Sequence, residues 1–410
     1  MSTAYPNRLT AADLRCRNDL SMAETLLKEQ SVIRVNEQIA KLEEDNPYSI
    51  RRRLLATSVR LSERMAPDLH AMARNCIDKL NMETPLDLYS FASPQFNAMC
   101  FKPESGRLHV MFSSSLLEGF TENELKFVVG HELGHHVYRH HDIPIGYLLN
   151  GKPQASPRLA LSLFAWSRYA EISADRAGAH CAQDIESVSS ALFKLASGLT
   201  GKTIRFSLDD FLAQVDEMQV LDSETANATT AQPKADWFST HPFSPLRVKA
   251  LQLYSRSTLA VPDGTSIDEL EVGVQTLMAL MEPSYMEGRT RVAENMRRLL
   301  FAGALVVANA DGKLSDAEIA VFEKFFGDDS FSDNLDISKL ERELPGRIKA
   351  VREDASDAQC MQVLRDLCLV VRAEDHDNRP ERERLRRIAT ELGIDPAFVD
   401  QNLCAELDPD

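Results

Sequence analysis

Residues 128–141 read VVGHELGHHVYRHH, which places five of the chain's ten histidines within eleven positions. His131-Glu132-Leu133-Gly134-His135 is an H-E-x-x-H sequence. On a helix four residues advance about 400°, so His131 and His135 share one face, a turn apart. Two neutral imidazoles in that arrangement bind a single Zn²⁺ ion. Glu132 stands beside the first of them, where a carboxylate can take a proton from water that the metal has acidified.

Two residues compete for the third ligand position. His141 has the spacing of the longer pattern H-E-x-x-H-x-x-G-x-x-H, but Tyr138 occupies the place of the glycine that turns the chain back. If the helix simply continues, His141 lies about 600° past His135 and faces elsewhere. Glu171, in YAEISADR, lies on an expected helix with Asp175 one turn later on the same face. A ligating carboxylate with a second carboxylate able to orient a ligating histidine makes a coherent set, and the spacing favours it. Two histidines and one glutamate leave a fourth position open, as catalytic sites do. His136, His140 and His141 then read as surface or supporting groups.

The elements that must position these residues are legible in part. Thr121-x-x-Glu124 is a capping box opening the helix that carries the two histidines. Gly130 and Gly134 inside that helix make sense if another element packs closely against it. Upstream, LDLYSF (86–91), FNAMCF (96–101) and RLHVMFS (107–113) have strand character, and PESG (103–106) predicts a hairpin between the last two. The simplest arrangement is a small antiparallel sheet. Residues 35–79 follow a helical pattern broken at Asn46-Pro47, and helices are expected over 157–182, 185–198 and from about Pro245. The first thirty residues are polar and read as loosely ordered. DSETANATTAQPKAD (222–236) reads as a mobile loop that could act as a lid, and VPDGT (261–265) as a boundary. Beyond it, LVVANADGKLSDAEI (305–319) and LVVRAEDHDNRPERE (369–383) form a weak internal repeat of helical hairpins.

Composition narrows the setting. A net charge of −16 argues against nucleic acid and anionic membrane surfaces as partners. Seven scattered cysteines without a CxxC pair point to reduced thiols rather than a cysteine zinc box. No apolar run approaches the roughly 20 residues that span a bilayer, and no secretory signal is visible, so a cytoplasmic location is expected.

HELGHH, EISADR and THPFSPLRVKAL together resemble the HtpX and CAAX-prenyl-protease family of zinc metallopeptidases, of gluzincin type, over about residues 35–257. The resemblance implies His131, His135 and Glu171 as ligands of one catalytic Zn²⁺, Glu132 as base and Asp175 as a supporting carboxylate. It also matches His241, Pro242 and Arg247 to the family's downstream His-Pro and Arg. There, His241 and Arg247 would stabilise an oxyanion, or only cap a helix and pair with an acid such as Asp175. Many members of that family are integral membrane proteins, so this chain resembles a soluble branch. Residues 290–404 resemble the TerB-like helical domain of tellurite-resistance proteins. Asp311, Asp316, Glu318, Asp375, Asp377 and Glu383 gather at its two turns, where helix capping is the favoured role over cation binding.

The expected architecture is therefore mainly α with a small antiparallel sheet: a polar segment over 1–34, a zincin-like peptidase domain over 35–262, and an all-α domain over 266–410. The expected activity is zinc-dependent hydrolysis of a peptide or unfolded protein, the C-terminal helices regulating it or binding a partner. The substrate would pair with an edge strand near Arg107–Ser113. The rival expectation is a non-catalytic zinc-binding adaptor working through the C-terminal helices.

Overall fold

A computed structural model describes residues 9–46, 48–150, 157–201, 203–225, 241–281, 285, 291–311, 337–371 and 379–404. Contacts divide the chain into two compact units. The first runs to Thr265 without Ser156–Ala165 and Thr225–Phe238, and the second takes those segments and everything from Ser266.

The first unit opens with α1 (Ala11–Leu14), α2 (Arg17–Leu26), α3 (Gln30–Asp45) and α4 (Ser49–Thr57). From Ala11 onward the expectation of a loosely ordered start fails. Leu14, Cys16, Met22 and Leu26 are almost fully buried, and so is Asp19. The helical reading of 54–79 also needs correction. Val59–Leu61 leaves it as strand β1, and α5 (Pro67–Lys79) starts afresh with proline in its first turn. A short segment with β-branched Val59 gains more from backbone pairing with a neighbouring strand than from extending a helix.

β2 (Leu86–Phe91), β3 (Ala98–Cys100) and β4 (Leu108–Ser113) complete a four-stranded sheet of order β1-β2-β4-β3. β1 and β3 pair antiparallel to their neighbours, whereas β2 and β4 run parallel, with Leu88 opposite Val110. The fold is mainly α with one small sheet, and that sheet is mixed rather than antiparallel. The PESG hairpin forms: Glu104 and Arg107 exchange backbone bonds of 2.9 and 3.1 Å across Ser105 and Gly106, both at positive φ. That is the two-residue turn whose twist suits a hairpin. β4 lies between β2 and β3 and is buried along nearly its whole length, so the expected docking strand at 107–113 is interior. The edge beside it is β3.

After α6 (Ser114–Gly119) comes α7 (Glu122–Val137), which carries the two metal-type histidines. Its start is fixed by the capping box: Thr121 N–H donates to Glu124 Oε2 at 2.7 Å, and Thr121 Oγ1 accepts from Glu124 N–H. Glu124 is buried and also paired with Lys194 at 2.7 Å. Beyond a short 3₁₀ turn at 140–142 follow α8 (Ile145–Asn150), α9 (Pro157–Ala182), α10 (Ile185–Ser197), α11 (Leu208–Thr225) and α12 (Ser244–Arg256).

Helices Ile267–Ala279, Arg291–Ala308, Ile337–Asp354, Asp357–Val371, Arg379–Leu392 and Ala397–Cys404 form the second unit. They close over an apolar core that includes Leu299, Leu300, Val363, Leu364, Leu367 and Ile388. Ser266 caps the first of them with a capping box to Glu269. Of the acidic turns, Asp316, Glu318, Asp375 and Asp377 lie outside the described residues, as does most of the expected 222–236 loop. Asp311 closes a short 3₁₀ turn and Glu383 is exposed on a helix. Among the described residues no helix is long and apolar enough to cross a membrane. Cys16, Cys76, Cys100, Cys181, Cys360 and Cys368 are thiols outside any disulfide.

Candidate metal centre

Gly130 and Gly134 let α9 lie directly against α7. A Cβ at Gly134 would meet Ala177 Cβ at 2.9 Å and Ala174 Cα at 3.1 Å, and one at Gly130 would meet Gly178 Cα at 2.9 Å. Residues 174, 177, 178 and 181 form a stripe at helical spacing, so α9 presents small groups where α7 has none. Glu171 and Asp175 lie at the edge of that stripe, and the close approach brings them to the histidine face of α7.

The result is one cluster. His131, His135 and Glu171 each offer a ligand atom, all within 4.8 Å of one another. The Nε2 atoms of the two histidines are 3.1 Å apart. His135 Nε2 lies 3.4 Å from Glu171 Oε1, and His131 Nε2 lies 3.6 Å from Glu171 Oε2. Zinc bonds of about 2.0–2.2 Å in a tetrahedron imply ligand–ligand edges of about 3.3–3.6 Å. The three distances lie about that range, the two to Glu171 ending on its two different oxygens. Glu171 Oε2 is buried and makes no hydrogen bond, an expense that a bound cation removes.

Charge points the same way. Glu132, Glu171 and Asp175 are buried, and the Arg247 guanidinium lies among them. Burial works against a charged His135, yet Glu171, with Glu132 and Asp175, raises its pKa above the ordinary value. Burial likewise opposes ionised Glu171, but His135, His131 and His241 hold its carboxyl well below the usual range. The cluster demands positive charge at its centre, and its donor set suits zinc.

The remaining residues have distinct places. Asp175 Oδ1 lies 2.9 Å from His131 Nδ1, so it accepts that proton and leaves Nε2 bare. Arg247, on α12, grips Asp175 in a two-point fork at 2.8 and 2.6 Å and lies 3.5 Å from Glu171 Oε2. Its Nε and Nη2 donors thus serve Asp175. His241, just before α12, is largely exposed, with Nε2 3.5 Å from Glu171 Oε1. Glu132 is buried at 8% exposure next to His131.

The three other histidines divide. His136 bonds Thr84 Oγ1 at 3.0 Å. His141 is not part of the cluster; its Nε2 is buried without a hydrogen bond, and burial with the neighbouring histidines pushes its pKa down to about 3. The left-handed turn comes at Arg139, with φ 60°, not at Tyr138. That one-residue shift brings His140, not His141, back to α7, where its Nδ1 lies 2.9 Å from His135 Nδ1. His140 Nε2 lies 3.1 Å from Asp19 Oδ2. Asp19 also accepts from Arg15, Ser173 and Trp166. Sequence reasoning missed Asp19 altogether, because nothing in RCRNDL signals a partner more than a hundred residues away.

A cavity of about 500 Å³ opens beside the cluster, bordered by His135, Glu171 and His241. Ile39 from α3, Ile143, Ile145, Tyr147 and Trp166 give it an apolar wall.

Residues 63–150 and 146–255 match the model of peptidase family M48. The matched segment is similar to an M48 peptidase. Every residue of the cluster lies within it. The chain is also 32% identical over 217 residues to the plastoglobule-localized metallopeptidase 48, chloroplastic, of Arabidopsis thaliana. That alignment takes in 50% of this chain and spans 61% of the relative's length. No solved structure matches the chain.

Proposed function

We propose that this chain is a zinc-dependent endopeptidase of the HExxH…ExxxD type. The observation that carries the reading is the convergence of ligand atoms from His131, His135 and Glu171 within 4.8 Å of one another, with a buried carboxylate, Glu132, alongside. Zinc held there supplies Lewis-acid polarisation of a scissile carbonyl and acidifies water to a pKa of about 7. The carboxylate of Glu132 takes the proton from the attacking water and hands it to the leaving amine. Asp175 holds the proton on His131 Nδ1, and Arg247 holds Asp175 in place. His241, which borders the cavity, would donate to the oxyanion of the tetrahedral intermediate.

The substrate lies extended along β3. Phe101 N–H bonds His109 O, and Ser113 N–H bonds Asn97 O, so by antiparallel alternation Ala98 and Cys100 direct their backbone groups away from β4. β3 packs against α7, the helix that carries Glu132. A backbone pairing there would deliver an unfolded peptide to the site. The apolar cavity then receives one of its side chains.

The kinship to HtpX and the CAAX-prenyl proteases, the cytoplasmic setting and the TerB-like identity of the C-terminal unit belong to the same reading. They rest on the motifs, the acidic charge and the free thiols. In this reading the second unit regulates the peptidase or binds a protein partner. The deciding measurement compares bound zinc and hydrolysis of an unfolded protein for wild type and Glu132→Gln. Zinc retained with hydrolysis reduced about 10²–10⁴-fold is expected. Equal hydrolysis would remove Glu132 from the chemistry, and zinc without hydrolysis in either protein would favour the adaptor.

A further inference from the structure

The two zinc-type histidines are supported differently. His131 has a carboxylate directly on its Nδ1, while the support of His135 passes through another imidazole. Asp19, on α2, is fully buried and accepts from five donor atoms: Arg15 Nε at 2.8 Å and Nη2 at 3.1 Å, Trp166 Nε1 at 3.0 Å, Ser173 Oγ at 2.7 Å, and His140 Nε2 at 3.1 Å. A carboxylate so saturated is ionised and can only accept. His140 Nε2 must therefore carry a proton. With its proton on Nε2, the His140 imidazole turns a bare Nδ1 toward α7. His135 Nδ1, 2.9 Å away, must donate to it. That leaves His135 Nε2 as a lone pair, aimed at His131 Nε2 and Glu171.

Each link fixes the next, and the direction starts at Asp19. We propose that Asp19, acting through His140, is a positioning residue that sets the tautomer and orientation of the ligand His135, so that α2 belongs to the metal centre. The placement of the other donors supports this. Ser173 lies two residues after Glu171 on α9 and also accepts from Cys16 N–H at 3.0 Å. The segment that holds Asp19 is thus tied to the helix that holds the third ligand. α2 is locked to both sides of the cluster, to α9 by Ser173 and Trp166 and to α7 by His140.

The inference rests on the zinc reading of His131, His135 and Glu171, and one experiment separates the two. Zinc affinity of the full-length chain is measured by competition with a chromophoric chelator for wild type, His135→Ala, Asp19→Asn, His140→Phe and the Asp19→Asn/His140→Phe double variant. Unchanged affinity in His135→Ala would sink the zinc reading itself. With that reading intact, each of Asp19→Asn and His140→Phe should weaken zinc binding about 10–100-fold, the usual effect of losing a group that orients a ligand. The double variant should be no weaker than the poorer single one, because both cut one chain. Wild-type affinity in either single variant, or losses that multiply in the double, would overturn the relay. If Asp19→Asn fails to fold, His140→Phe still decides, because it cuts the same chain at its second link: zinc affinity equal to wild type would refute the proposal.

Discussion

Replacing Gly134 by alanine tests whether the contact between α7 and α9 builds the metal centre. On helix propensity alone the change should stabilise the protein by about 1 kcal/mol. The added methyl, however, would lie 2.9 Å from Ala177 Cβ and 3.1 Å from Ala174 Cα, neither of which can rotate away. Carbon atoms prefer separations of about 3.5–4.0 Å, so α9 must retreat by about 0.5–1 Å. Overpacking of this kind costs about 1–3 kcal/mol. The net result should be a loss of about 0–2 kcal/mol in chelator-treated protein, read from urea unfolding. Zinc binding should suffer more. Glu171 rides on α9, and metal sites tolerate distance errors of only about 0.2 Å. Chelator competition should show a loss on the order of 10–100-fold. Gly346→Ala is the control, because a Cβ there meets nothing within 4 Å, and it should gain stability with zinc affinity unchanged. If Gly134→Ala behaved like the control in both measurements, the close-packing account of the site would be wrong.

Arg247→Met leaves Asp175 buried without its cation and should cost about 3–5 kcal/mol in urea denaturation of the metal-free protein. A loss below about 1 kcal/mol would mean that the fork contributes little. Glu124→Gln keeps a side chain suited to the capping box but removes the charge opposite Lys194. Burial opposes ionised Glu124, yet Lys194, the Thr121 N–H and Ser190 hold its pKa below the ordinary 4.5. A depressed carboxylate contributes stability above its unfolded pKa and loses it as pH falls through the folded value. Wild type should therefore lose stability below about pH 4.5 more steeply than Glu124→Gln, and parallel curves would contradict the sign. Ala98→Pro removes an N–H that the β3–β4 ladder does not use. Folding and zinc content should persist while KM for an unfolded-protein substrate rises, and unchanged kinetics would exclude docking on β3.

Local chemistry made several features readable. Thr121 and Glu124 announce a helix start three residues apart, and PESG supplies its own turn. His131, Glu132 and His135 need only the helical period to share a face. Glu171 and Asp175 were reachable because their spacing on one helix matches what a histidine site requires. Other features depend on pairings that no local pattern encodes. The register that makes β4 interior follows from β3 joining its open side. Val59–Leu61 becomes a strand because β2 offers it a partner. The choice of His140 over His141 hangs on one left-handed residue, Arg139, whose conformation its own side chain does not advertise.

The sequence alone therefore determined which residue types can bind and activate, since that depends on side-chain chemistry and on spacing along one helix. Tertiary structure decided how they meet. Gly130 and Gly134 are merely small in the sequence, and only the stripe of Ala174, Ala177 and Gly178 turns that smallness into a contact that delivers Glu171. Asp19 is merely acidic in the sequence. It acquires a role because Ser173, Trp166 and His140, all more than a hundred residues distant, donate to it in a buried place. Directional bonds between distant residues are set by packing, and packing is a property of the whole folded unit.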